Sequence, residues 1–274
     1  MMLAIKTITT PLTFNLRPFI PMPLVEEFER SGVWLFRWRS YLPFVFLPLI
    51  FLAATRYPTI ETYPNEHFTW SVISLCISLA GLFVRCHTVG HAAEGTSGRN
   101  TKRQIAETLN TSGFYSVVRH PLYLGNFLIA LGIVMHSLSP WLIAIYTMAF
   151  ALYYERIMFT EERFLRDKFA EQYVSWANWT PAFLPRIQNW RTADLPMNWP
   201  KVIRAESAAV ALIAAAFPGL EFLVHRLQQG KIAMELSWYL VLLCGLAVYG
   251  VARLMKRRYR KRDQNKTEPR EATS

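Results

Sequence analysis

The chain has 274 residues and a formal net charge of +11, yet only 18% of it is charged, while 52% is hydrophobic and 14% aromatic. A soluble domain carries about 25% charged residues, so the composition points to a membrane protein. The basic residues mostly flank apolar runs, which is how topology is encoded, and no nucleic-acid motif accompanies them, so nucleic acid is not expected as a partner.

In chain order, residues 1–40 read as an interfacial arm, with Trp34, Phe36 and Trp38 alternating with Arg37 and Arg39. A first span is expected over 41–55, short for about 30 Å of hydrocarbon and carrying Pro43 and Pro48. A second follows over 68–89, then a polar stretch from Gly90 to Arg119 with Arg99, Lys102 and Arg103. The third and fourth spans, 121–137 and 141–159, are separated only by Leu138-Ser139-Pro140. So short a connection predicts an antiparallel helical hairpin with its turn at one membrane face. The fourth span runs on into an amphipathic stretch, with Phe164, Leu165 and Phe169 on one side and Arg166, Asp167 and Lys168 on the other. Residues 176–200 hold Trp176, Trp179, Trp190 and Trp199 and read as hugging the interface. Spans at 202–224 and 236–255 and a basic tail over 256–274 complete the chain.

The predicted fold is all-α, a polytopic membrane bundle of about six transmembrane helices with a hairpin core and interfacial helices. Its parts are the arm, a core over 41–200, two additional helices over 201–255 and the tail. The Lys/Arg bias puts both termini on the cytoplasmic side.

The hairpin brings two polar clusters to one membrane face. Arg119 and His120 precede Pro121, which suits the first turn of a helix. Arg119 with the N–H groups of that turn would make a site for a carboxylate or phosphate; snorkelling of Arg119 and capping by His120 is the plainer account. At the far end of the hairpin Glu161 and Glu162 are adjacent, with Glu155 about two turns earlier. Neighbouring carboxylates at an interface persist best against a cation, hydroxyls or an arginine, although pairing with Arg163 and Arg166 would also serve. Facing each other, the clusters would suit a zwitterion. His87 and His91 are four apart, with Glu94 three further on. That spacing allows a shared metal, but no His-Glu-x-x-His motif is present and no metal is expected. A cofactor-lining or a polar interfacial role is left open for the pair, and His136 reads as structural.

Arg119-His120-Pro121-Leu122-Tyr123-Leu124-Gly125, followed after the hairpin by Glu161-Glu162-Arg163-Phe164-Leu165 and Phe169-Ala170-Glu171-Gln172-Tyr173, resembles the signature of the isoprenylcysteine carboxyl methyltransferase and phospholipid N-methyltransferase superfamily. The resemblance covers residues 80–185. It implies an integral membrane methyltransferase that uses S-adenosylmethionine without a Rossmann domain, consistent with the absence of a strand-borne glycine fingerprint. It further implies that Arg119, His120 and Glu162 carry the chemistry. Arg119 and His120 would hold the cofactor's carboxylate, and Glu161 and Glu162 its ammonium or ribose hydroxyls. Tyr123, Gly125, Asn126, His87 and His91 would complete the cofactor site on the cytoplasmic face. The acceptor would be lipidic: a prenylcysteine carboxylate, a phospholipid headgroup or a lipid phosphate. Ala170 departs from the family's frequent Gly, Trp176 from a common Tyr, and about ninety further residues follow the shared core. An NADPH-dependent sterol or polyprenyl reductase and a non-enzymatic scaffold or transporter are the competing readings. The loop Gly95–Asn100 could close over the cofactor or be an ordinary loop.

Overall fold

A computed structural model describes residues 24–39, 41–56, 64–93, 107–230 and 236–267. The arm before residue 24, Glu94, the Gly95–Asn100 loop, and Arg99, Lys102 and Arg103 lie outside the described residues.

The elements are helices throughout: α1 (Leu24–Trp38), α2 (Leu47–Thr55), α3 (Pro64–His91), the single turn α4 (Phe114–Val117), α5 (Pro121–Met135), α6 (Pro140–Ala177), α7 (Trp199–Gln229) and α8 (Leu236–Thr267). Four of them, α3, α6, α7 and α8, are long and apolar enough to cross a membrane, and Phe44–Thr55 and Pro121–Met135 are shorter apolar helices. The all-α membrane bundle expected from the composition is therefore what the chain forms.

The first span needs correction. It is not one helix over 41–55 but a 3-10 turn over Leu42–Phe46 followed by α2. Pro43 and Pro48 each stand in the first turn of their piece, where a missing N–H is harmless; inside one continuous helix Pro48 would remove a hydrogen bond and clash with the preceding turn. Nine residues rise only about 14 Å, so α2 alone does not cross. The basic stretch after residue 255 is likewise not a separate tail at its start, because α8 continues through Thr267.

The hairpin forms as expected. α5 ends at Met135, α6 begins at Pro140, and Leu138 takes a positive φ of 52° to reverse the chain between them. Glycines set how closely the helices approach. A Cβ at Gly81 or Gly125 would strike the backbone of the other helix in the α3–α5 crossing, and Ser78 Oγ donates to the Ile129 carbonyl at 2.8 Å in the same seam. Small residues bring helices together this way where lipid gives no hydrophobic drive. α1 docks on α6 by the same device, since a Cβ at Gly32 would overlap Thr160 and the Arg156 carbonyl; Tyr153 donates to the Leu35 carbonyl at 2.7 Å nearby. Between these seams lies an aromatic core that includes Phe36, Tyr123, Tyr146, Phe150 and Tyr154.

Candidate active site

α4 ends at Val117, and the chain runs through an extended Val118 and a bend at Arg119 to His120, the residue before α5. This run is pinned from outside. Arg119 N donates to the Pro181 carbonyl at 2.8 Å, Arg186 N to Val117 O at 2.9 Å, and Gly113 N to Arg191 O at 3.0 Å. The tryptophan-rich segment after α6 is thus a brace against residues 113–119 rather than only a face toward the interface.

Held there, the two clusters meet. Arg119 Nη1 donates to Glu162 Oε2 at 2.6 Å. His120 Nε2 lies 2.9 Å from Glu162 Oε1, and its Nδ1 lies 3.4 Å from Glu161 Oε2. Arg119 Nη1 also reaches the Tyr173 hydroxyl at 3.3 Å. Tyr123 stacks on His120 with centroids 5.5 Å apart and rings 14° from parallel, and its hydroxyl faces Glu161. The His120 ring is buried, which alone would lower its pKa. Hydrogen bonds and charge from Glu161 and Glu162 outweigh that and hold it above the ordinary value. His120 therefore tends toward the imidazolium, and the cluster holds two cationic side chains against two carboxylates. One donor is left over: Arg119 Nε is buried with no hydrogen-bond partner. A buried guanidinium nitrogen without an acceptor is costly, and a carboxylate is what it fits best.

The other sequence-predicted residues fall into two neighbouring groups. Gly125 and Asn126 pack against α3 rather than beside Arg119. Gly125 packs beneath Arg85, and Asn126 accepts from Arg85 Nη1 while its amide lies 3.4 Å from the Tyr154 hydroxyl. Arg85 in turn pairs with Glu206 of α7 through two bonds of 2.7 and 2.9 Å. The His87 and His91 rings lie 4.4 Å apart at the end of α3 with their planes tilted by 46°, and Phe114 and Trp190 stand against His87 at 5.0 and 5.6 Å. His91 Nδ1 is 2.6 Å from the Leu195 carbonyl, and His87 Nδ1 is buried without a hydrogen-bond partner. Glu155 is exposed and takes no part.

Beside the ionic cluster a cavity of about 650 Å³ opens between the end of α6 and the brace, lined by Thr111, Ser116, Trp176, Trp179, Trp190 and Arg191 among others. Its size suits a small organic ligand. Tyr173 and Trp176, whose rings are 5.8 Å apart, join the cavity to the cluster. Tyr173, Trp190, Arg85 and Glu206 were not singled out from the sequence as site residues. Only Tyr173 carried a signal, as the last residue of the Glu-Glu helix motif. α6 bends just before it, at Ala170 with φ 44° and ψ −118°, a conformation natural to glycine. The family's glycine there has a physical reason that this chain meets at a strain.

The phospholipid methyltransferase family model matches residues 74–172, which span α3 through the Glu161–Glu162 pair. The cobalt-zinc-cadmium resistance protein CzcN of Cupriavidus metallidurans is 38% identical over 60% of this chain and 67% of its own length. The nickel-cobalt-cadmium resistance protein NccN of Alcaligenes xylosoxydans xylosoxydans is 31% identical over 66% of this chain and 78% of its own. A protein-S-isoprenylcysteine O-methyltransferase of Xenopus laevis is 34% identical, with 47% of each chain covered. No solved structure matches. Fold and comparisons together define an integral membrane protein of a methyltransferase class. The chain belongs to the isoprenylcysteine carboxyl methyltransferase and phospholipid methyltransferase superfamily.

Proposed function

We propose that this protein is an S-adenosylmethionine-dependent methyltransferase acting on a lipidic acceptor, with its site at the cytoplasmic membrane face. The observation that carries this is the part-buried Arg119–His120–Glu161–Glu162 cluster with the unsatisfied Arg119 Nε. When bound, the cofactor supplies an activated methyl group on a sulfonium. The residues here would do the holding. Arg119 offers its free Nε to a carboxylate, while Glu162 keeps the guanidinium fork oriented. Glu161, held less tightly through His120, is the carboxylate best placed to take up an ammonium or ribose hydroxyls. Trp176, Trp179 and Trp190 give the adjacent cavity flat apolar walls for a ring. No general base is needed for a carboxylate or phosphate acceptor, where alignment and exclusion of water carry the rate; for an amine, His87 or His91 could take the proton.

The lipidic class of acceptor rests on the surroundings, since the cluster opens at the end of helices whose outward faces are apolar, Phe83 and Leu152 among them. The resistance names of the two relatives carry no acceptor chemistry. The test is transfer of an isotopically labelled methyl group from S-adenosylmethionine to membrane lipid extracts by the purified protein, read by mass spectrometry. A labelled methyl-mass shift in a lipid, lost in Arg119→Ala, is the expected result. Label that never enters a lipid contradicts the acceptor class.

A further inference from the structure

A charged pair lies further into the bundle than the Arg119 cluster. Arg85 of α3 donates to Glu206 of α7 through Nε and Nη2 at 2.7 and 2.9 Å, and its Nη1 donates to Asn126 Oδ1 of α5. Gly125 makes room for this crossing, because a Cβ there would strike Arg85 Cγ and the Gly81 carbonyl. Gly125 stands one to two turns past His120, a rise of about 7 Å along α5. Aromatic rings bridge that step. The Asn126 amide lies 3.4 Å from the Tyr154 hydroxyl, the Tyr154 and Tyr123 rings are 4.8 Å apart, and Tyr123 stacks on His120.

Packing does not require this pair. Taking two charges out of water is costly, and apolar side chains of similar volume in their place are often as stable or more so. Within a membrane such groups mark function by default. The exposure of the two partners is uneven: the Glu206 side chain is 3% exposed, whereas that of Arg85 keeps 19%. The carboxylate is sealed and the cation is the reachable partner. Glu206 takes the Nε–Nη2 edge, and Nη1 meets the neutral oxygen of Asn126, so guanidinium hydrogens remain to give. A planar fork fixed along one edge is suited to an oxyanion at another. Glu206 also balances Arg85 while the site is empty. An arriving oxyanion would then find its opposite charge in the sulfonium, and the neutral methylated product would be held less tightly than the acceptor.

We infer that Arg85, paired with Glu206, receives the oxyanionic head of the lipidic acceptor, a carboxylate or a phosphate on an apolar chain. The inference rests on the methyltransferase reading for the reaction, while the binding itself is measurable without a cofactor. In the transfer an oxygen lone pair forms the new O–CH₃ bond as the S–CH₃ bond breaks. The sulfonium becomes a neutral thioether, the oxyanion loses one negative charge, and no proton moves. An ammonium head would meet a guanidinium of like charge, so Arg85 selects against it.

The test uses the full chain in a neutral maltoside detergent without cofactor, with bound amphiphile counted by native mass spectrometry. The probes are oleate, its methyl ester and oleoyl lysophosphatidic acid, which share one chain and separate the carboxylate from the phosphate. The parent should take up at least one of the two oxyanions more tightly than the ester. The double variant Arg85→Met/Glu206→Met removes both charges and leaves no orphan. It should bind that oxyanion about 10- to 100-fold more weakly, the worth of a hydrogen bond to a charged group, with ester binding and S-adenosylmethionine titration unchanged. If it is not monodisperse, Arg85→Lys/Glu206→Gln carries the comparison, because an ammonium keeps the charge without the fork and should lose part of the preference. A charge-free variant that binds the oxyanion as tightly as the parent, or a parent that binds the ester as tightly as both oxyanions, overturns the inference. Selective binding that depends on Arg85, in a parent that transfers no methyl group, would uphold this site and overturn the methyltransferase reading instead.

Discussion

The two ends of the bundle are built from the same residue types and do opposite things with them. At one end Glu161 and Glu162 are 23% and 24% exposed and meet an arginine and a histidine at distances down to 2.6 Å. At the other, Glu221 is almost wholly buried and is ringed by three histidines at 3.3 Å and beyond. The first arrangement balances two carboxylates against a permanent cation and a protonated ring, leaving one guanidinium N–H to give, which suits a zwitterion. The second surrounds one nearly dry carboxylate with imidazoles from α3, the end of α5 and α7, which ties these helices together at that end. Counting histidines and glutamates in the sequence does not separate these cases; burial and spacing do.

The sharpest way to break the comparison is to exchange the same atom at each end. Glu162→Gln removes the charge that orients Arg119 and should lower methyl transfer by about 100-fold or more, in line with the roughly 3–5 kcal/mol lost when a buried pair loses one partner. Glu221→Gln should leave transfer largely intact in the same assay. Equal losses from both would mean that the two ends are not functionally distinct.

Next in size is the seam that carries both ends. Gly125→Val would drive a side chain into Arg85 and the α3 backbone and should cost at least about 1–3 kcal/mol, seen as a lowered melting temperature in detergent. An unchanged melting temperature would argue against the close α3–α5 crossing.

Protonation distinguishes the ionic cluster further. The pKa of His120 is raised in the folded protein, so its pairing with Glu161 and Glu162 stabilises fully below the unfolded-state value of about 6.5. That contribution is lost as pH rises through the higher folded-state value. The stability of the parent relative to His120→Gln, measured across neutral to alkaline pH, should therefore shrink as pH rises. A difference that grows with pH would contradict the cationic role.

The smallest effect is at the α6 bend. Ala170→Gly should stabilise by about 1 kcal/mol, the relief of a positive φ less the entropy of glycine. A destabilised variant would show that Ala170 is not strained.

Much of this was legible in the sequence because it depends on connectivity. The three-residue Leu138–Pro140 turn alone requires Arg119–His120 and Glu161–Glu162 to share a face, and they are in contact. What the sequence left open was distance. The two clusters read as opposite walls of a gap, but they close directly on each other, and a cavity lies beside them against Trp176 and Trp190. Asn126 could not be placed from its position in the motif, because its partners Arg85 and Tyr154 come from helices distant in the chain. His136 read as structural since the grouping with His67 and Glu221 depends on three helices meeting at a depth that no local pattern encodes. The first span went astray for a local reason, two prolines five residues apart that start two pieces instead of kinking one.

The central claim is that Arg119, oriented by Glu162, holds the carboxylate of S-adenosylmethionine. Its most direct test is calorimetric titration of the detergent-purified protein with S-adenosylmethionine, beside Arg119→Ala and a Glu155→Gln control. Saturable binding by the parent and the control, lost in Arg119→Ala, is the predicted result. Binding by Arg119→Ala as tight as the parent's would contradict it.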